Sequence, residues 1–183
     1  MVITKLIQLT TRISLLISLL FCANASFGQY EQITINKSDT VIDGNGGLYN
    51  AGKASYIYIS SQNTTSGWIQ TKNVTIKNIT VRGGIRIMGL GKNGQAAAVK
   101  ESSLSLGHTE RAQAAAPTNI TISNVVFEAT EGLTAIYIAP GTTHVTVENC
   151  TFTGTSSGSG PLIYLDAESG YNTFRNNGFG TTV

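Results

Sequence analysis

One phrase of nine residues returns in register along this chain. Asn73-Val74-Thr75-Ile76-Lys77-Asn78-Ile79-Thr80-Val81 comes back as Asn119-Ile120-Thr121-Ile122-Ser123-Asn124-Val125-Val126-Phe127. It comes back again as His144-Val145-Thr146-Val147-Glu148-Asn149-Cys150-Thr151-Phe152. A worn copy runs Tyr171-Asn172-Thr173-Phe174-Arg175-Asn176-Asn177-Gly178-Phe179. The shared pattern is apolar-Thr-apolar-x-Asn-x-x-apolar, and Asn124, Asn149 and Asn176 stand 25 and 27 residues apart. A period of this length implies stacked units, each burying its apolar face against the next. The repeat therefore states which residues lie above one another.

A second phrase keeps step with the first. Tyr56-Ile57-Tyr58-Ile59-Ser60, Gly84-Ile85-Arg86-Ile87-Met88, Ala135-Ile136-Tyr137-Ile138-Ala139 and Leu162-Ile163-Tyr164-Leu165-Asp166 all alternate with period two, and Ile33-Thr34-Ile35 is a shorter copy. Alternation of this kind sends one set of side chains inward and the other outward. About three short strands per repeat, with no convincing amphipathic helix at 3.6 spacing, predict the coil of a parallel β-helix. The repeated asparagine follows an inward residue (Ile76, Ile122, Val147, Phe174) and precedes a new strand. Asparagine tolerates the left-handed backbone of a sharp bend, and its amide can bond its copy one coil away.

These asparagines, together with the opening Thr40-Val41-Ile42-Asp43-Gly44-Asn45-Gly46, resemble the right-handed parallel β-helix proteins of the pectate-lyase-like superfamily. The resemblance spans Ile33 to Phe179. It implies an all-β solenoid of about five to six coils at about 25 residues each. For function it implies a protein contacting extracellular polysaccharide, lyase- or hydrolase-like in ancestry. A non-catalytic structural or adhesion solenoid is the alternative, because one fold carries both kinds of protein.

The first 25 residues are expected to lie outside the fold. Lys5 and Arg12 form a positive region, Ile13 to Phe21 an apolar core, and Ala23-Asn24-Ala25 a cleavage site. That is the layout of a secretory signal peptide, too short for a membrane span, so an extracellular or periplasmic protein is expected. Removing Lys5 and Arg12 from 12 basic residues leaves ten against ten acidic ones, so residues 26–183 carry no formal net charge. That balance argues against nucleic acid as a partner. Cys150 alone remains of the two cysteines and is expected as a small core residue. The chain stops at Gly180-Thr181-Thr182-Val183 directly after a coil, with no clear C-terminal cap. A solenoid end exposes strand edges, so a truncated product, a short covering tail or an oligomer through that end is expected.

Stacking the second phrase by its alternation gives an outward row of Thr34, Tyr58, Arg86, Tyr137 and Tyr164, with coils about 4.8 Å apart. Aromatic faces stack on sugar rings and arginine binds carboxylates in a bidentate way. Tyr58, Arg86, Tyr137 and Tyr164 are therefore the candidate polysaccharide-binding residues, and tyrosines stacking on their own copies for stability is the competing reading. The next outward row reads Ser60, Met88, Ala139, Asp166. The first phrase adds Thr75, Thr121, Thr146 and Thr173. The charges of Lys77, Glu148 and Arg175 beside them spoil the flat surface an ice-binding face needs.

From Asn78 to Asn124 is 46 residues, about 20 too many for one repeat. The excess falls in Gly89 to Pro117 and is expected to be an inserted loop beside Arg86, bringing His108, Glu110 and Arg111 toward the row. Arg86, His108 and Asp166 are the candidates for catalysis. No complete set is visible, since no second acidic residue stacks on Asp166 to form the carboxylate pair of a glycoside hydrolase. No metal-ligand spacing and no cofactor motif is apparent, and no acidic cluster supports calcium.

Overall fold

A computed structural model of the chain describes residues 32–50, 56–90, 106–128, 134–153, 162–166 and 168–180. The expected leader, residues 1–25, lies outside the described residues. The strands are β1 (Ile33–Ile35), β2 (Thr40–Asn50), β3 (Tyr56–Ser60), β4 (Gln62–Thr64), β5 (Gly67–Ile69), β6 (Lys72–Arg82) and β7 (Gly84–Met88). After one helix, α1 (His108–Ala115), come β8 (Thr118–Glu128), β9 (Ile136–Ile138), β10 (Thr143–Glu148), β11 (Thr151–Thr153), β12 (Ile163–Leu165), β13 (Thr173–Arg175) and β14 (Gly178–Gly180).

Nearly all pairing is parallel and between repeats. The second phrase forms one sheet in the order β1-β3-β7-β9-β12. The first phrase forms another, in which β2 pairs β6, β6 pairs β8, and β8 pairs both β10 and β11. The latter two pair in turn with β13 and β14. The arrangement is compatible with a β-solenoid. Between copies the register is that of the repeat: Ile76 opposes Ile122, Ile122 opposes Val147, and Val147 opposes Phe174.

The long strands bend where asparagine takes the left-handed backbone. Asn78, Asn124, Asn149 and Asn176 have φ between 53° and 55°. Asn124 donates its amide to Asn78 Oδ1 at 3.3 Å, and Asn78 donates to Asp43 Oδ1 at 3.0 Å. A second left-handed corner precedes each copy, at Asp39, Asn73, Asn119, His144 and Tyr171, with φ of 55–59°. There Asn119 donates to Asn73 at 2.6 Å and Asn73 to Asp39 at 2.7 Å, and in the later copies His144 and Tyr171 stack their rings instead.

Isoleucines and valines from both phrases form a single core. Phe127 and Phe152 stack within it at a centroid spacing of 4.9 Å, and the exposed Phe179 continues the stack at 5.0 Å. Cys150 is buried beside them, and burial pushes its thiol pKa up. The last copy is open: Leu165, Phe174 and Phe179 are 46%, 39% and 62% exposed.

The segment between β7 and β8 is an insertion, as expected, because β6 pairs directly with β8 and β7 with β9. Its form departs from the expectation, for residues 108–115 are helical. Residues 91–105 lie outside the described residues. Only Ala112 and Ala115, with His108, face inward, so the apolar stripe is too narrow to register as a helical period. Leu90 and Trp68 complete this small second core. Gln70, just after β5, donates its amide to the carbonyls of Gln113 and Ala116 at the end of the helix. On the other side Gly141, with φ of 75°, lets the turn after β9 touch the helix, since a Cβ there would sit 2.6 Å from the Ala112 carbonyl oxygen.

Candidate functional site

The outward row stands in the register read from the alternation. Thr34 opposes Tyr58, Tyr58 opposes Arg86, Arg86 opposes Tyr137, and Tyr137 opposes Tyr164. Tyr58, Arg86 and Tyr137 are each flanked by buried isoleucines on their own strand, which fixes the side chain to the outer face, while Tyr164 stands between the partly buried Ile163 and the exposed Leu165. Tyr58, Arg86 and Tyr137 are half-buried, and Tyr164 is exposed.

Their mutual geometry is tight. Tyr137 and Tyr164 stack at 5.6 Å with planes 16° apart. The Tyr137 hydroxyl donates to Asp166 Oδ2 at 2.8 Å. Burial first, and the Asp166 carboxylate second, push the Tyr137 pKa well above that of a free phenol, so it remains a neutral donor. The Arg86 guanidinium lies 3.9 Å from the centroid of the Tyr56 ring and 5.8 Å from that of Tyr137. Tyr56 meets Tyr58 edge-on at 5.9 Å.

Tyr56 was missed in the sequence. It is outward by alternation yet only 4% exposed, because Arg86 folds back over it. The signal was Gly84, its strand neighbour, which lets the next copy's backbone approach beside the ring. A Cβ on Gly84 would come within 2.6 Å of the Thr134 carbonyl oxygen and 3.0 Å of Tyr56 Cδ1.

The second outward row is not a free surface. Met88 and Ala139 are buried, and close by in sequence Gly89 approaches Ala116 and Gly141 approaches Ala112 of the α1 segment. Ser60 and Asp166, at the two ends of this row, are half-buried. His108 is also away from solvent, at 3% exposure, with Nε2 3.3 Å from Glu168 Oε2. Thr109 donates to the other Glu168 oxygen at 2.6 Å. The helix is thereby fastened to the turn after β12. Glu110 and Arg111 are on its exposed side.

Of the three catalytic candidates, Arg86 is engaged with aromatic rings, Asp166 accepts from Tyr137, and His108 pairs with Glu168. Chemically, the row offers phenol edges, one free aromatic face at Tyr164, one cation and one carboxylate. Among the described residues no group of three or more His, Cys, Asp or Glu is placed to hold a metal ion, and no helix is long and apolar enough to cross a membrane. Comparison with known protein families, with curated proteins and with solved structures returns no match.

Proposed function

We propose that this chain is a secreted right-handed β-helix of the pectate-lyase-like kind that contacts extracellular polysaccharide through the row Tyr58–Arg86–Tyr137–Tyr164. The observation carrying the reading is the placement of Arg86 between aromatic side chains on one outer strand face. One cation for carboxylates then lies beside ring surfaces for sugars that repeat at the strand spacing. Binding rather than bond cleavage fits the row best, since hydrolysis needs two carboxylates at a set separation and this face holds Asp166 alone among the described residues.

A second reading rests on the stacked Tyr137 and Tyr164 rings and the Tyr137–Asp166 bond. Aromatic faces turned to each other serve stability, and the chain would then be a structural or adhesion solenoid.

The two separate by titration with polygalacturonate and with its fully methyl-esterified form. Binding of either without a rise in unsaturated-uronate absorbance is expected. Arg86→Ala should weaken the acidic polymer by about 1–2 kcal/mol and the ester far less, and Tyr164→Ala should weaken both. Should Tyr164→Ala lower the unfolding midpoint and leave binding untouched, the row is a structural ladder.

A further inference from the structure

We infer that Tyr56, which lies beneath the row, is the positioning residue that gives it charge selectivity; the inference rests on the polysaccharide-binding reading above. An arginine on a strand face has four rotatable bonds and ordinarily samples many directions. Here three local features restrict it. Gly84 opposes Tyr56, and only glycine fits there, since a Cβ would lie 2.6 and 2.9 Å from the Thr134 and Ala135 carbonyl oxygens and 3.0 Å from the Tyr56 ring. Arg86, two residues on, reaches diagonally back and lays its guanidinium 3.9 Å from the ring centroid. Tyr137 limits it from the other side at 5.8 Å.

The ring meets the guanidinium at its central carbon. A carboxylate is bound by the in-plane N–H groups, so ring and anion are compatible ligands of one guanidinium. Holding the cation on Tyr56 removes orientational freedom before the anion arrives, which is the usual source of a preorganised site's affinity. Tyr56 therefore favours charged over neutral polymer without touching either. Its own place is secured by burial and by its backbone carbonyl, which accepts from the Tyr49 hydroxyl at 3.4 Å.

The test uses Tyr56→Phe and Tyr56→Leu in the full chain, with the same two polymers. Phenylalanine keeps the ring face and should leave both affinities within about twofold. Leucine keeps bulk but loses the quadrupole, and should weaken polygalacturonate about five- to tenfold while leaving the methyl ester within about twofold. In an Arg86→Ala background Tyr56→Leu should add nothing. Equal losses for both polymers, or a full loss in the Arg86→Ala background, would show a merely structural role and overturn the proposal. A readout without polymer keeps it separate from the function itself. The Arg86 Nε–H resonance should be shifted by the Tyr56 ring current, retain that shift in Tyr56→Phe and lose it in Tyr56→Leu. If that resonance is indifferent to Tyr56→Leu, the positioning is refuted. If it moves but neither polymer binds the parent chain, the polysaccharide reading is what fails.

Discussion

At Asn119 one side chain does two jobs. Its backbone sits at φ 56°, and its amide donates to Asn73 Oδ1. The two jobs separate by substitution. Asn119→Ala loses both and is expected to cost about 2 kcal/mol, while Asn119→Gly keeps the backbone conformation and should cost about half of that. Equal urea midpoints for the two variants would show that the left-handed corner carries no strain. Asp43 is a second residue-scale case. The Asn78 amide, then the Asn45 backbone N–H, then Lys77 hold its carboxyl below the ordinary range. A folded-state pKa lowered in this way adds stability above the unfolded carboxylate value, near 4, and loses it as pH falls through the folded value. Asp43→Asn should therefore flatten the acid limb of the stability curve below the ordinary carboxylate value, near pH 4. The change should be small, since the group is largely solvated. Both sites were partly legible: the bend asparagines were read from their repeated offset, whereas the earlier corner was missed because histidine and tyrosine replace asparagine in its later copies.

At the scale of elements, the repeat strands and the insertion obey different rules. A strand such as β8 is held by neighbours that carry the same phrase, so its register follows from the pattern. Helix α1 has no copy. It is held by unlike partners: Gln70 at its end, Trp68 and Leu90 against its alanines, Gly141 beneath it, and Glu168 at His108. Gly141→Ala should cost about 2–4 kcal/mol, because it adds left-handed strain to a collision with the Ala112 backbone. An unchanged denaturant midpoint would mean that the helix does not pack on that turn. Met88 and Ala139, next in sequence to residues at this contact, are buried although alternation alone turns them outward.

Across the whole molecule, a stack of this kind is close to one-dimensional, so each layer is stabilised by its two neighbours. The middle strands β6, β8 and β10 have partners on both sides, while β13 and β14 have one each. With Phe174 and Phe179 exposed, the last layer also buries the least. Amide exchange should thus be slowest in β6 and β8 and fastest, among these strands, in β13 and β14. Uniform protection along the stack would contradict a layered molecule.

The amino-acid sequence alone determined the parallel stacking, its register and the composition of the outer row. Those properties depend only on period and alternation, which are local and repeat. The tertiary structure decided what the insertion becomes, which outward residues are covered, and where the Arg86 guanidinium points. These follow from contacts between unlike segments: Tyr56 with Arg86, Gly141 with Ala112, His108 with Glu168. No periodicity encodes such pairs, because each occurs once and joins residues whose meeting is set by the folded chain.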